Sequence, residues 1–267
     1  MDIANWNAMD WVAIIGAAAW APQILTWAYH YFARPKISIY PYPHTQAGYT
    51  TLGPIFNVTV ALLSERKDII LNKISVRITH ERGASYVFDW DGLSEDLSEI
   101  QNPLGPTMSI KKTFLPLVVR VFHTGVAQVF VRFQYKPFKV NFKKVFEPAL
   151  DKFQFLKKSG KLKTEGDIEG LASDKEFAEV TKLFNSEFIW GAGQYTVEFV
   201  FHSSSTFAYK KIKYAFRLTQ DDVDELKKNI ESIKLDIIQN AKMEIIKDYK
   251  PTEINWIWKY PELQKKS

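Results

Sequence analysis

The sequence predicts one N-terminal transmembrane helix followed by a mainly β soluble domain, an antiparallel β-sandwich with a helical insert and a long C-terminal helix. Three observations predict it. Trp11 to Phe32 holds 22 residues without a formal charge. Short runs between Ile55 and Leu218 alternate apolar and polar residues with a period of two, and the stretch after Thr219 repeats with a helical period. On this reading residues 1–35 form the membrane segment, 36–218 the sandwich with an insert at about 146–188, and 219–267 the closing helix with an aromatic tail.

At about 1.5 Å of rise per residue, the uncharged stretch makes a helix of about 33 Å, enough for a hydrocarbon core of about 30 Å. Trp6 and Trp11 at one end and Trp27, Tyr29, Tyr31 and Phe32 at the other suit the headgroup level. A cleaved signal peptide would begin with positive charge, yet the first Lys or Arg is Arg34, although Ala19-Trp20-Ala21 has the form of a cleavage site. A buried helix of a soluble domain is the other alternative, because Pro22 and Gln23 interrupt the apolar run. Arg34 and Lys36 follow the span while Asp2 and Asp10 precede it, so the positive-inside tendency puts the N-terminus outside and the domain in the cytoplasm of a single-pass protein. The absence of cysteine fits either redox compartment.

Gly16, Ala19, Gln23, Thr26 and His30 recur at steps of three and four and share one helical stripe. Small and polar residues in lipid sit better against other helices or water than against acyl chains. One helix cannot enclose a conduit, so the stripe points to a homo-oligomer, with a tetramer as the working copy number. A plain anchor with a dimerising face is the simpler alternative; Ala13, Ala17 and Ala21 form a second stripe that would allow close approach.

In Ile55 to Ser64, Phe56, Val58, Val60 and Leu62 fall on one face, and in Lys73 to His80 Ile74, Val76 and Ile78 do the same, as half-buried strands require. Glu65 to Asp68 reads as their hairpin link. Leu117 to Val121 and Val126 to Tyr135 read as a second hairpin turning at Thr124-Gly125, and Asp89 to Pro106 between the pairs reads as an acidic loop. Tyr195 to Phe201 and Thr206 to Leu218 flank His202-Ser203-Ser204-Ser205 as a third hairpin. Six such strands suit a sandwich, an immunoglobulin-like layout being one that satisfies them.

Thr219 with Asp222 three residues on approximates a capping box, and Asp221, Asp222, Asp224 and Glu225 load the first turns with negative charge. Val223, Leu226, Ile230, Ile233 and Ile237 then form a packing stripe. Trp256, Ile257, Trp258 and Tyr260 make the tail too aromatic to float, so it is expected to dock.

No catalytic set is legible. The five histidines lie at no metal-ligand spacing from one another, and Asp89-Trp90-Asp91-Gly92 opens like a calcium loop but lacks the later acidic ligands. No phosphate-binding glycine loop or nucleophile elbow occurs, so the reading is a non-enzyme without cofactor or metal.

Charge interleaved with rings carries the binding expectation. Arg132 to Lys163 holds one Arg and nine Lys against Glu147 and Asp151. Its Arg132, Lys136, Lys139, Lys143, Lys144, Lys157, Lys158, Lys161 and Lys163 are candidate contacts to an anionic polymer whose bases would stack on the intervening Phe and Tyr rings. Lys211, Lys213 and Arg217 form a second basic strip. Solvation, or contact with anionic lipid below the span, would use the same residues.

One N-terminal span, a compact β-rich domain, no catalytic set and a basic surface together resemble the membrane effectors of bacterial antiphage defence, among them the channel subunit of the Hailong system. The resemblance covers the whole architecture and rests on no short motif. It implies an inner-membrane homo-oligomeric ion channel that depolarises the membrane. It also implies that a single-stranded DNA oligomer, made by a partner nucleotidyltransferase, binds the soluble domains as the gating ligand. A membrane-tethered adaptor that docks a protein partner, or a lipid-binding accessory domain, would share the same outline.

Overall fold

The computed structural model describes residues 8–100, 108–115 and 118–266; for 8–15, Ala17, His30, 94–100 and 108–114 it describes the backbone alone. Helix α1, Ala8–Phe32, carries Pro22 in its interior. Trp20, Ile24, Leu25, Trp27, Tyr31 and Phe32 along it are exposed. Among the described residues no helix is long and apolar enough to cross a membrane. The side chains of Trp11, Ala13 and Ala17, and Trp6 altogether, lie outside the described residues.

The chain then enters β1 (Lys36–Thr50) and returns as β2 (Gly53–Glu65), paired antiparallel along nearly their whole length. β3 (Ile69–Leu71), β4 (Lys73–His80), β5 (Ser85–Ile100), β6 (Met108–Phe114), β7 (Val119–Val121) and β8 (Val126–Tyr135) follow. Three helices come next: α2 (Lys136–Lys158), α3 (Glu165–Leu171) and α4 (Lys175–Ser186). β9 (Gly193–His202), β10 (Ala208–Tyr209), β11 (Lys213–Leu218), α5 (Gln220–Ile245), β12 (Trp258–Lys259) and β13 (Gln264–Lys265) complete the order.

The expected alternation holds in the strands that carry the core. Phe56, Val58, Val60, Leu62, Ile74, Val76 and Ile78 are all buried. The arrangement differs from a two-ladder sandwich. One sheet runs β10-β1-β2-β8-β5-β4-β9-β11-β13. β5 joins what would have been separate layers, pairing with β4 through Ser85 to Asp89 and with β8 through Phe88 to Ser94, so an immunoglobulin-like division does not arise. The sheet curls until distant strands face each other: Phe56 of β2 stacks on Phe216 of β11 with ring centroids 5.6 Å apart, and Tyr214 donates its hydroxyl hydrogen to the Ile39 carbonyl of β1.

The C-terminal tail joins the two edges of the curl, as its aromatic character led one to expect of a docked segment. Trp258 and Lys259 pair with Gly48 and Ala47 of β1, while Gln264 and Lys265 pair with Ala215 and Tyr214 of β11. Asn229 of α5, fully buried, holds the tail between them, donating to the Ile257 carbonyl and accepting from the Ile257 N–H, each at 2.8 Å. Unpaired edges invite association with other chains, and here the protein's own last residues occupy them.

Four readings change. β2 pairs with β1 and β8 while β4 pairs with β5 and β9, so Glu65 to Asp68 is not the link of a hairpin between them. Asp89 to Ile100 is strand β5 rather than loop, the remainder of the expected loop, 101–106, lying outside the described residues. β7 pairs with β3 and β8 with β2 and β5, so 117–135 is no hairpin, Leu117 itself being outside the description. The helical insert starts at Lys136, not near 146, because Pro137 opens a helix directly after β8. The final helix starts as expected: Thr219 and Asp222 form a reciprocal capping box.

Candidate anion-binding pocket

The basic segment divides along α2. Phe138, Ala149 and Phe153 are buried on one side of that helix, and Phe138 stacks on Phe142 and Phe142 on Phe146. Phe133 is in the sheet core. Of the rings expected to stack on bases, Phe155 alone is largely exposed. The base-stacking platform therefore does not form: those rings are what an amphipathic helix buries, and the lysines are its other face.

The lysines separate as well. Lys136 and Lys139 lie in the first turn of α2, whereas Lys157, Lys158, Lys161 and Lys163 lie at or beyond its last turn, roughly 30 Å away at about 1.5 Å per residue. Lys157 is paired with Glu244 at 2.6 Å and Lys143 with Glu147 at 3.6 Å. Lys213 pairs with Glu198 of β9 at 3.0 Å. Lys144, Lys158, Lys161, Lys163, Lys211 and Arg217 have no ion pair among the described residues, and nothing gathers them into one concave site.

Arg132, Lys136 and Lys139 do converge. β5 and β8 slip register between Trp90 and Gly92, so two residues of β5 oppose one of β8 and Asp91 is the extra one. The bulge brings Asp91 beside Arg132, whose Nη2 donates to Oδ2 at 3.0 Å, with Lys139 Nζ 3.8 Å from Oδ1. Asp89 receives Lys73 Nζ at 2.8 Å and the Ser75 hydroxyl at 2.9 Å, with Lys136 Nζ 3.9 Å away. Arg132 lies flat over Gly92, where a β-carbon would come within 3.2 Å of its guanidinium, so this glycine makes room for the cation. Lys73, Asp89, Trp90, Asp91, Gln134, Lys136 and Lys139 enclose a cavity of about 290 Å³.

Four cations thus face two carboxylates and leave an excess of two positive charges. Lys73 and Arg132 are held tightly, whereas Lys136 and Lys139 are long contacts on side chains 69% and 67% exposed, free to turn toward another anion. The N-terminus of α2 adds to the field, since its first turn has no acidic residue and its N–H groups carry partial positive charge. Asp89 and Asp91, the opening of the supposed calcium loop, are occupied by these cations. Among the described residues no three His, Asp or Glu side chains converge as metal ligands would. Lys73 was missed because on sequence it reads only as the solvent face of β4; register alone brings it to α2.

On α1, Gly16, Ala19, Gln23 and Thr26 are exposed and share a stripe, while the side chain of His30 lies outside the description. The Thr26 hydroxyl donates to the Pro22 carbonyl at 2.7 Å, satisfying itself within the helix. Lys67 Nζ donates to the Tyr31 carbonyl at 2.8 Å, fastening the foot of α1 to the β2–β3 link.

Comparisons of the chain with protein-family models, with curated proteins and with solved structures return no match.

Proposed function

We propose that the chain is one subunit of a homo-oligomeric ion channel in a bacterial inner membrane, an effector of antiphage defence. In this reading α1 crosses the bilayer with the N-terminus outside, and the Gly16, Ala19, Gln23, Thr26 and His30 stripe lines the conduit. The curled β domain stands in the cytoplasm and reads an anionic, nucleic-acid-like ligand, a single-stranded DNA oligomer being the form the resemblance implies. The observation that carries it is α1 itself: a 25-residue helix, about 37 Å long at about 1.5 Å per residue, whose Trp20, Leu25, Trp27 and Phe32 are each more than three-fifths exposed. So much bare apolar surface in water is unfavourable, and lipid together with sister helices would cover it.

The pocket around Lys136 and Lys139 supports an anion over a protein partner, and a wall with three lysines and a single ring, Trp90, supports recognition of phosphates ahead of bases. The test uses the full chain reconstituted in liposomes under an ion gradient. Gln23→Leu and Thr26→Leu should each abolish flux while the detergent-solubilised particle keeps its mass. Unchanged flux in both variants refutes the lining; a chain that is monomeric and soluble without detergent refutes the membrane reading altogether.

A further inference from the structure

A second cavity, unrelated to the anion pocket, lies between α2 and α5 beside the β1–β2 turn, with a volume of about 380 Å³. That is within the range of about 300–1,000 Å³ usual for small-molecule sites. Its wall is aromatic and aliphatic, with Phe142, Phe146, Leu150 and Ile237 prominent. Asp236 opens into it from α5.

This carboxylate is out of place as a merely structural group. It is half-buried, and burial pushes its carboxyl above the ordinary carboxylate range, against the opposing effect of a hydrogen bond from Asn240. It makes no ion pair among the described residues, and the lysines of the flanking helix segments are paired with other carboxylates. Lys157 faces Glu244, Lys234 faces Glu231, and Lys242 faces Glu165 and Glu169. Glu244, at the same cavity, is already neutralised by Lys157. A carboxylate left half-desolvated beside phenyl rings lacks a positive charge at one defined place.

We propose that this cavity binds an apolar amine, a compact hydrophobic body whose ammonium head pairs with Asp236. The rings of Phe142 and Phe146 take the hydrocarbon, and the Asp236 carboxylate takes two of the ammonium hydrogens with Asn240 beside it.

The experiment is calorimetric titration of the full chain in detergent with 4-phenylbutylamine, with 4-phenylbutanol and 4-phenylbutyrate as neutral and anionic counterparts. The amine should bind saturably, at least tenfold more tightly than the alcohol, and the carboxylate should not bind. Asp236→Asn, which keeps the shape, should bring the amine to the level of the alcohol. Leu150→Trp, which narrows the cavity from a partly exposed position, should remove both, with an unchanged thermal midpoint as the control on folding. Absence of amine binding, equal binding of all three probes, or full amine affinity in Asp236→Asn overturns the proposal. None of these outcomes bears on the anion pocket, which the probes do not approach.

Discussion

Replacing Lys136 and Lys139 together with Ala tests the anion pocket without touching its frame. Asp89 keeps Lys73 at 2.8 Å and Asp91 keeps Arg132 at 3.0 Å, so no carboxylate is left without a partner and the fold should be unaffected. The two lysines removed are those at 3.9 and 3.8 Å, the pair able to turn to a phosphate. Each phosphate contact on a single strand contributes about 0.7 to the slope of log affinity against log salt, so the double variant should lose about 1.4. Between about 50 and about 200 mM salt the wild type should therefore weaken about sevenfold more than the variant. Fluorescence anisotropy with a labelled single-stranded oligonucleotide reads this directly. A variant whose slope matches the wild type shows that neither lysine meets a phosphate, whatever its absolute affinity.

Asn229→Ala should free the tail: two buried hydrogen bonds to Ile257 are lost and two backbone groups left unpaired, a cost of about 2–4 kcal/mol, lowering the thermal midpoint by roughly 5–15 °C. A midpoint within about a degree of wild type, with unchanged amide protection over residues 257–265, refutes the clamp. Gly53→Ala puts a β-carbon 2.3 Å from the Phe138 ring at a φ of +77°, and strain plus overpacking should destabilise by about 2–4 kcal/mol in denaturant titration; equal stability would mean that Phe138 is not held there. Asp68 accepts from the ring and backbone N–H of His123 and from Arg120, and these bonds hold its carboxyl down at about 2. A depressed carboxyl stabilises the fold above the ordinary carboxylate range and loses that contribution as pH falls toward 2, so carboxyl NMR should show a midpoint near 2. A midpoint near the ordinary 3.8 refutes the arrangement.

What the sequence made legible was whatever repeats locally. Phe56, Val58, Val60 and Leu62 announce β2 because every second side chain enters one core, and Thr219 with Asp222 announces α5 because a cap is satisfied within three residues. The bulge at Asp91 was illegible: one extra residue inverts the parity of β5, so Phe88 and Leu93 both point inward and no single alternation fits the strand. Its acidic continuation looked like a loop because the compensating charges are remote, Glu95 standing opposite Lys112 and Asp96 opposite Lys111 in register. The anion pocket was half visible, through Arg132, Lys136 and Lys139. Its fourth cation and its shape depend on strand pairing, which composition does not encode.

In the channel proposed above, the arrangement also constrains how ligand and conduit would communicate. Gln134, on the pocket wall, donates to the Leu52 carbonyl at the tip of the β1–β2 hairpin, and the same two strands end at the Lys36–Glu65 pair beside the foot of α1. β2 is thus a single 13-residue strand, on the order of 43 Å at about 3.3 Å per residue, hydrogen-bonded on both edges along most of its length. Such a strand does not bend locally under two displaced lysines; it moves as a body with the sheet it belongs to. If the proposed channel holds, a ligand at Lys136 and Lys139 would bias its conduit only by changing how whole β domains sit against one another, since a ligand shifts an equilibrium only through contacts that differ between its states. An oligomer long enough to reach the pockets of two neighbouring subunits has such contacts. A single phosphate or mononucleotide, filling one pocket alike in either arrangement, has none and should bind without gating.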